Sequence, residues 1–333
     1  MGGIWVVGEV DAGGALTKLS GEAATAARAM GHAGSLDLRG VIVAAEPDVA
    51  AASLATFLPV VLAVRSPEAR ERPAAAIVAA RVAALAAAAS EPPAYIVVGA
   101  TPDGRDLAGA LAALLELGVL VGATDLAWGD AAGGVPAGPR VEMQPFGGRI
   151  VTTNAFSAER GIILLRPNMV AAEPLAAPGR VEASATQEAV DVAPVRIVER
   201  VVTSSSGPSI EEARVIVSGG RGVGGPEGFA ALEELADLLG GAVGATRAAV
   251  DAGWVDYAIQ IGQTGKTVKP AVYLAFGVSG AIQHKVGMQT AETIVAINRD
   301  LDAPIAEFAD LFVVADLATV VPALAFALRA RAG

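Results

Sequence analysis

The sequence predicts an α/β protein of two domains, each an open, mostly parallel, twisted sheet with helices on both faces. Three observations carry this. Short apolar runs alternate with Ala-rich helical stretches, the rhythm of parallel strands joined by crossover helices. The chain has 333 residues, more than one average domain accommodates. The alternation then lapses over 171–212, where Pro174, Pro178 and Pro194 precede Ser204-Ser205-Ser206-Gly207-Pro208, a linker composition. A plain surface loop has the same composition; the change of pattern on either side favours a boundary near 205, giving domains 1–204 and 205–333.

Each element has a local reason. In the first domain 4–10, 41–45, 60–64, 95–99 and 119–124 are apolar runs bounded by Gly, Asp or Pro and read as strands. Helices are expected at about 20–30, with Ser20 as N-cap, at 73–89 and at 106–117. Residues 141–146 and 149–156 flank Gly147-Gly148 and read as a hairpin, and 161–166 is a further strand. His32 follows the first helix and reads as its C-terminal cap; Gly104-Arg105-Asp106 reads as a helix start. The second domain offers a strand at 215–217 and an amphipathic helix at 226–240 with Phe229, Leu232, Leu235 and Leu239 on one face. Strand-like runs follow at 242–245, 257–261, 271–277, 293–297 and 311–315, then a helix from 317.

Composition removes several function classes. Hydrophobic residues make up 53% of the chain, but Arg81 interrupts the run 74–89 and Glu116 the run 107–124. No stretch reaches the ~18 to 20 apolar residues that span a bilayer, so no direct membrane insertion is expected. The start, MGGIWVVGEVD, lacks a basic leader and reads as a first strand rather than a targeting peptide; a cytoplasmic protein is expected. Without cysteine there is no disulfide, Fe–S cluster or thiolate metal site. A net charge of −11 argues against nucleic acid as a partner. Neither a metal-spaced His/Asp/Glu cluster nor a Ser-His-Asp arrangement is present.

One stretch concentrates chemistry: 261–288, IGQTGKTVKPAVYLAFGVSGAIQHKVGM. A Gly/Thr loop enters a buried strand, and Ser279-Gly280 leads to Gln283-His284, one of two histidines in the chain. Strand, small-residue turn and helix start is how an open sheet presents backbone N–H groups to an anion. Upstream, GRGVGG at 220–225 satisfies G-x-G-x-x-G between a strand and a helix. A nicotinamide dinucleotide site would add an acidic residue about 20 positions on, where Thr246-Arg247 stands instead. Arg247 suits a 2′-phosphate, so an NADP-dependent oxidoreductase is one reading, and a module with a purely structural nucleotide is another. GQTGKT at 262–267 fails as a P-loop because Gln260 occupies the first glycine position.

VYLAFGVSGAIQHKVGM resembles the signature of the electron transfer flavoprotein α subunit family. The likeness continues through SGGRGVGG at 218–225, ATRAAVD at 245–251, IGQTGKT at 261–267, TIVAINRD at 293–300 and DLFVVADLATVVP at 310–322. It is looser over 1–200, where DGRDLA at 103–108 and the 140–169 region carry it. The resemblance implies FAD in a Rossmann-like C-terminal domain and an N-terminal domain that docks the family's β subunit as a heterodimer. It implies an electron carrier without substrate turnover, taking electrons from flavoprotein dehydrogenases such as acyl-CoA dehydrogenases and passing them to a membrane quinone oxidoreductase.

By the same resemblance, Arg221 pairs with the FAD pyrophosphate and Thr246, where Ser is usual, keeps a phosphate contact. Arg247 lies against the flavin ring. Ile261, Gly262, Gln263 and Thr264 run along it, with the Thr264 hydroxyl near N5. Ser279, Gly280, Ala281, Ile282 and Gln283 line ribityl and ring with backbone amides. Asn298, Asp316 and Leu317 serve the pyrophosphate and adenosine end. His284 is expected at the flavin C2 carbonyl, where one hydrogen bond to a charged group would shift the potential by roughly 60–130 mV; a satisfied helix-start histidine is the bland reading. Lys285-Val286 stands where Leu-Ala is more usual in the family, with no chemistry evident in the change.

Overall fold

The computed structural model describes residues 2–145, 150–184, 195–199, 210 and 213–332. The chain divides into two compact units, Met1–Val201 and Val202–Gly333. The Ser/Gly/Pro stretch at 204–208 and the Gly147-Gly148 turn lie outside the described residues.

The first unit carries one sheet. Its strands are β1 (Ile4–Gly8), β2 (Leu38–Ala44), β3 (Val60–Arg65), β4 (Tyr95–Gly99), β5 (Val119–Gly129), β6 (Gly138–Met143), β7 (Thr152–Asn154), β8 (Gly161–Leu165) and β9 (Arg180–Ser184). The order is β7-β6-β5-β8-β4-β1-β2-β3-β9, antiparallel only at β5–β6 and β6–β7. Helices α1 (Lys18–Gly34) and α2 (Asp48–Ala55) cover one face, α3 (Ala74–Ala88) and α4 (Pro102–Leu115) the other. Strand β1 shows why a central parallel strand is apolar throughout: Ile4 and Val6 pack with Met30 and Leu54, while Trp5 and Val7 pack with Val82 and Leu111.

Two expectations are corrected here, and two elements appear that the sequence did not announce. Helix α1 begins at Lys18, not at 20; the Ser20 hydroxyl takes the Glu9 N–H at 2.8 Å, so Ser20 ties the helix to the β1 loop instead of capping. Strand β5 runs on to Gly129, through a register shift beside Gly122. Helix α2, of 8 residues, is too short for periodicity to announce. Strand β9 is an edge strand of RVEAS whose mostly exposed side chains form no apolar run.

The second unit has a five-stranded, wholly parallel sheet: β10 (Val215–Gly219), β11 (Ala242–Ala245), β12 (Val272–Phe276), β13 (Thr293–Asn298) and β14 (Leu311–Val314), ordered β11-β10-β12-β13-β14. Helices α5 (Pro226–Leu238) and α8 (Leu317–Ala332) cover one face, packing Phe229, Leu232 and Leu235 with Val321 and Val217. The other face is closed by Ile261, Val268, Ile305 and Met288 of α7 (Ile282–Met288), after the short α6 (Arg247–Asp251). The strand expected at 257–261 is a 3-10 turn, Tyr257–Ile259, followed by single bridges from Gln260 and Ile261. The Asp256 carboxylate accepts the Ala258 N–H at 2.7 Å and holds that turn.

A crevice at the carboxyl ends of the second sheet

From central β10 the chain steps to β11 on one side, then crosses to β12 on the other. The connections therefore leave β10 and β12 in opposite directions and open a crevice at their carboxyl ends, where parallel sheets bind ligands. The loops singled out by sequence all leave from this edge.

They are also hydrogen-bonded to one another. In the loop after β10, Gly220 donates to the Phe276 carbonyl at 2.9 Å and Gly222 to that of Gly277 at 3.0 Å. A Cβ on Gly222 would stand 2.7 Å from Gly277 Cα, so only glycine allows the approach. After β11, the Thr246 N–H donates to Gly219 at 3.0 Å, and the Ile261 N–H to Ala245 at 2.9 Å. Gly262, at φ 143°, turns the chain so that the Gln263 N–H reaches the Gln283 carbonyl at 2.7 Å. Arg221, Thr246, Ile261 to Thr264 and Ser279 to His284 thus belong to one set of interlocked loops.

The side chains divide into engaged and available. Among the described residues, exposed Arg221 pairs with no carboxylate. The Thr246 hydroxyl is buried and lacks a partner, an anomaly in a well-packed unit. Arg247 is exposed and pairs with Asp251 at 3.2 Å. Thr264 accepts from the Gln260 amide at 3.1 Å, which leaves its own proton to donate outward, and Tyr257 donates to its carbonyl. Ile282 is 56% exposed at the lip. Asn298 ends β13 and pins the third loop through Val278 O at 3.0 Å. Asp316 caps α8, accepting the Ala318 N–H at 2.8 Å, and Leu317 begins that helix; both lie further along the same edge, beyond β13.

His284 is engaged by the protein itself. Its ring is 5% exposed; Nδ1 lies 3.0 Å from the Ile261 carbonyl and Nε2 lies 2.9 Å from the Tyr273 hydroxyl. Both nitrogens are engaged by protein, so in this geometry neither is available to a flavin carbonyl. Burial, opposed only by the Ile261 carbonyl, pulls its pKa down to about 4, which makes the ring neutral near pH 7. Sequence reading missed Tyr273, Gln260 and Tyr257. Tyr273 alone left a signal, as a fully buried phenol that needs a partner.

A cavity of about 810 Å³ lies in the first unit beside the ends of β1, β2 and β4. Its wall includes Glu9, Asp11, Glu46 and Asp103, and the cation Arg70, which pairs with Glu46 at 3.0 Å. Burial raises the Glu9 carboxyl above its usual range; the Thr101 hydroxyl at 2.7 Å opposes this and Asp103 adds to it. Carboxylates there disfavour phosphate, whereas the crevice at β10 and β12 offers donors. Among the described residues no helix is long and apolar enough to cross a membrane, and no group of His, Asp and Glu could hold a metal ion.

A family model described as electron transfer flavoprotein FAD-binding domain matches residues 209–289, and one described as electron transfer flavoprotein domain matches 4–195. The chain is 40% identical over 329 residues to the electron transfer flavoprotein subunit alpha of Mycobacterium leprae, with 96% of each chain covered. It is 40% identical over 321 residues to that of Mycobacterium tuberculosis, again with 96% of each covered, and 41% identical over 239 residues to that of Bacillus subtilis, with 70% of each covered. Whole-chain likeness of this kind, with the interlocked glycine loops falling inside or beside the matched FAD-binding domain, means that the chain belongs to the electron transfer flavoprotein α-subunit family.

Proposed function

We propose that the second unit holds FAD across the ends of β10 and β12. The chain would accept electrons one at a time from flavoprotein dehydrogenases, such as acyl-CoA dehydrogenases, and pass them to a membrane quinone oxidoreductase. In this reading the N-terminal domain, 1–204, docks an electron transfer flavoprotein β subunit, the domain 205–333 carries the cofactor, and the heterodimer works in the cytoplasm. The chain is an electron carrier, without substrate turnover of its own. FAD when bound supplies the one-electron chemistry; the protein supplies binding, orientation and tuning.

The observation that carries the reading is the buried Thr246 hydroxyl just after β11, which has no hydrogen-bond partner among the described residues, together with the exposed Arg221 on the loop after β10, which pairs with no carboxylate among them. Phosphate oxygens would satisfy both, and charge-assisted bonds of that kind are the stronger ones. Backbone amides of Ser279 to Gln283 would line the ribityl chain and ring. Thr264 would aim its proton at the ring's N5 edge, Arg247 would add positive charge, and Asn298, Asp316 and Leu317 would border the adenosine end.

The test is purification with a co-expressed β subunit, flavin counting, then anaerobic addition of an acyl-CoA and its dehydrogenase. Bound FAD that bleaches supports the whole reading. A colourless protein rejects the cofactor. FAD that no flavoprotein dehydrogenase reduces rejects the carrier role in favour of a structural nucleotide.

A further inference from the structure

We propose that Tyr273 is a positioning residue: its phenol and the Ile261 carbonyl together hold His284 as a neutral ring that donates from Nδ1, and this chain fixes the Ile261–Thr264 loop against the crevice. The consequence for FAD rests on the functional reading above; the hydrogen-bond chain does not.

The assignment of protons follows from what each partner can do. A carbonyl only accepts, so Nδ1, 3.0 Å from Ile261 O, carries a hydrogen. Nε2 then presents its lone pair to the Tyr273 hydroxyl at 2.9 Å, and the phenol donates. A second ring proton would force the phenol oxygen to accept and its own hydrogen to turn away. The environment opposes that cation, since burial is the first influence on the ring and no charged side chain bears on it. Burial likewise pushes the phenol above its usual range, so the tyrosine keeps its proton. Ser218 shares this side of the sheet and bears on the phenol, yet its own buried hydroxyl closes no hydrogen bond.

The chain reaches the crevice through Ile261. That residue is strapped from both sides: its N–H donates to Ala245 at 2.9 Å and its carbonyl accepts from His284. Its side chain fills the space that a Cβ on Gly244, 2.3 Å away, or on Gly287, 3.0 Å away, would take. Three residues further on is Thr264. Strand β12 thereby sets, through Tyr273 and then His284, the position of the loop that presents the Thr264 hydroxyl.

The test uses the full chain, which has only His32 and His284, so two imidazole patterns appear in a long-range ¹H–¹⁵N spectrum and His32→Gln assigns them. The expected pattern for His284 is Nδ1 protonated and Nε2 bare, unchanged from pH 7 to pH 5. A ring protonated at Nε2, or doubly protonated at pH 6, overturns the proposal. FAD retention gives an independent readout. Asn places its amide N–H near the Nδ1 position and Gln near Nε2. His284→Asn should therefore hold FAD within about twofold of wild type, while His284→Gln and Tyr273→Phe lose about fivefold, one neutral hydrogen bond. The reverse order, Gln retaining and Asn losing, makes Nε2 the working atom and sinks the idea. A wild-type chain without FAD would fail the functional reading instead, and the spectrum would still decide the chain.

Discussion

Acid should loosen the second unit through His284 in particular. Its folded pKa of about 4 lies below the ordinary 6.5, so between those values the unfolded chain binds more protons than the folded one, and stability rises with pH. The stability is fully present above pH 6.5 and is lost as pH falls through about 4. With those two values, moving from pH 7 to pH 5 costs about 2 kcal/mol, and the loss levels off at about 3 kcal/mol in stronger acid. Bound ligand would mask this by mass action, so the assay is urea unfolding of flavin-free protein at both pH values. Trp254, the one tryptophan of residues 202–333, reports on the second unit. His284→Asn, which cannot titrate, should lose about 2 kcal/mol less than wild type. Equal pH dependence in His284→Asn and wild type would refute the burial argument.

Thr246→Val keeps the shape and removes the unpartnered hydroxyl. Flavin-free stability should hold or rise by about 1 kcal/mol while the FAD dissociation constant rises roughly tenfold or more, measured by urea titration and equilibrium dialysis; an unchanged constant would take Thr246 out of the site. Gly222→Ala puts a Cβ 2.7 Å from the Gly277 backbone, so it should cost about 1–3 kcal/mol and shed flavin on purification. Thr264→Val should lower the flavin potential by roughly 40 mV, one neutral hydrogen bond, and Thr264→Ser should restore it; spectroelectrochemical titration separates the two.

How much of this was legible in the sequence depends on range. Strands such as 272–276 and helices such as 226–238 announce themselves because burial is regular over their whole length. The glycine loops announce themselves because a close backbone approach, as at Gly222 and Gly277, leaves no other residue possible. The misses share a cause. Strand β9 is placed by pairing with β3 and not by its own side chains. Residues 257–261 look apolar enough for a strand, yet Asp256 and the turn at Gly262 shape them differently. The pairing of Tyr273 with His284 was not legible, although a buried phenol calls for some partner, because Tyr273 lies in a strand and His284 on a helix start 11 residues later. Linear spacing says that they are near; only the fold says which atoms face.

Topology alone does not choose between two crevices. In the first unit, too, the chain leaves central β1 for β2 on one side and returns to β4 on the other, and a cavity of about 810 Å³ lies at those strand ends. The two switch points differ in what the local sequence places at them. At β1 and β4 the chain supplies Glu9, Asp11 and Asp103; at β10 and β12 it supplies glycine amides, a cation and an unanswered hydroxyl. A phosphate held 4 Å from a carboxylate near a protein surface is opposed by about 4 kcal/mol per pair of unit charges, the same size as the attraction a guanidinium offers. The fold therefore nominates two crevices, and under the proposed function the charge of a few loop residues favours the one at β10 and β12 for a dinucleotide.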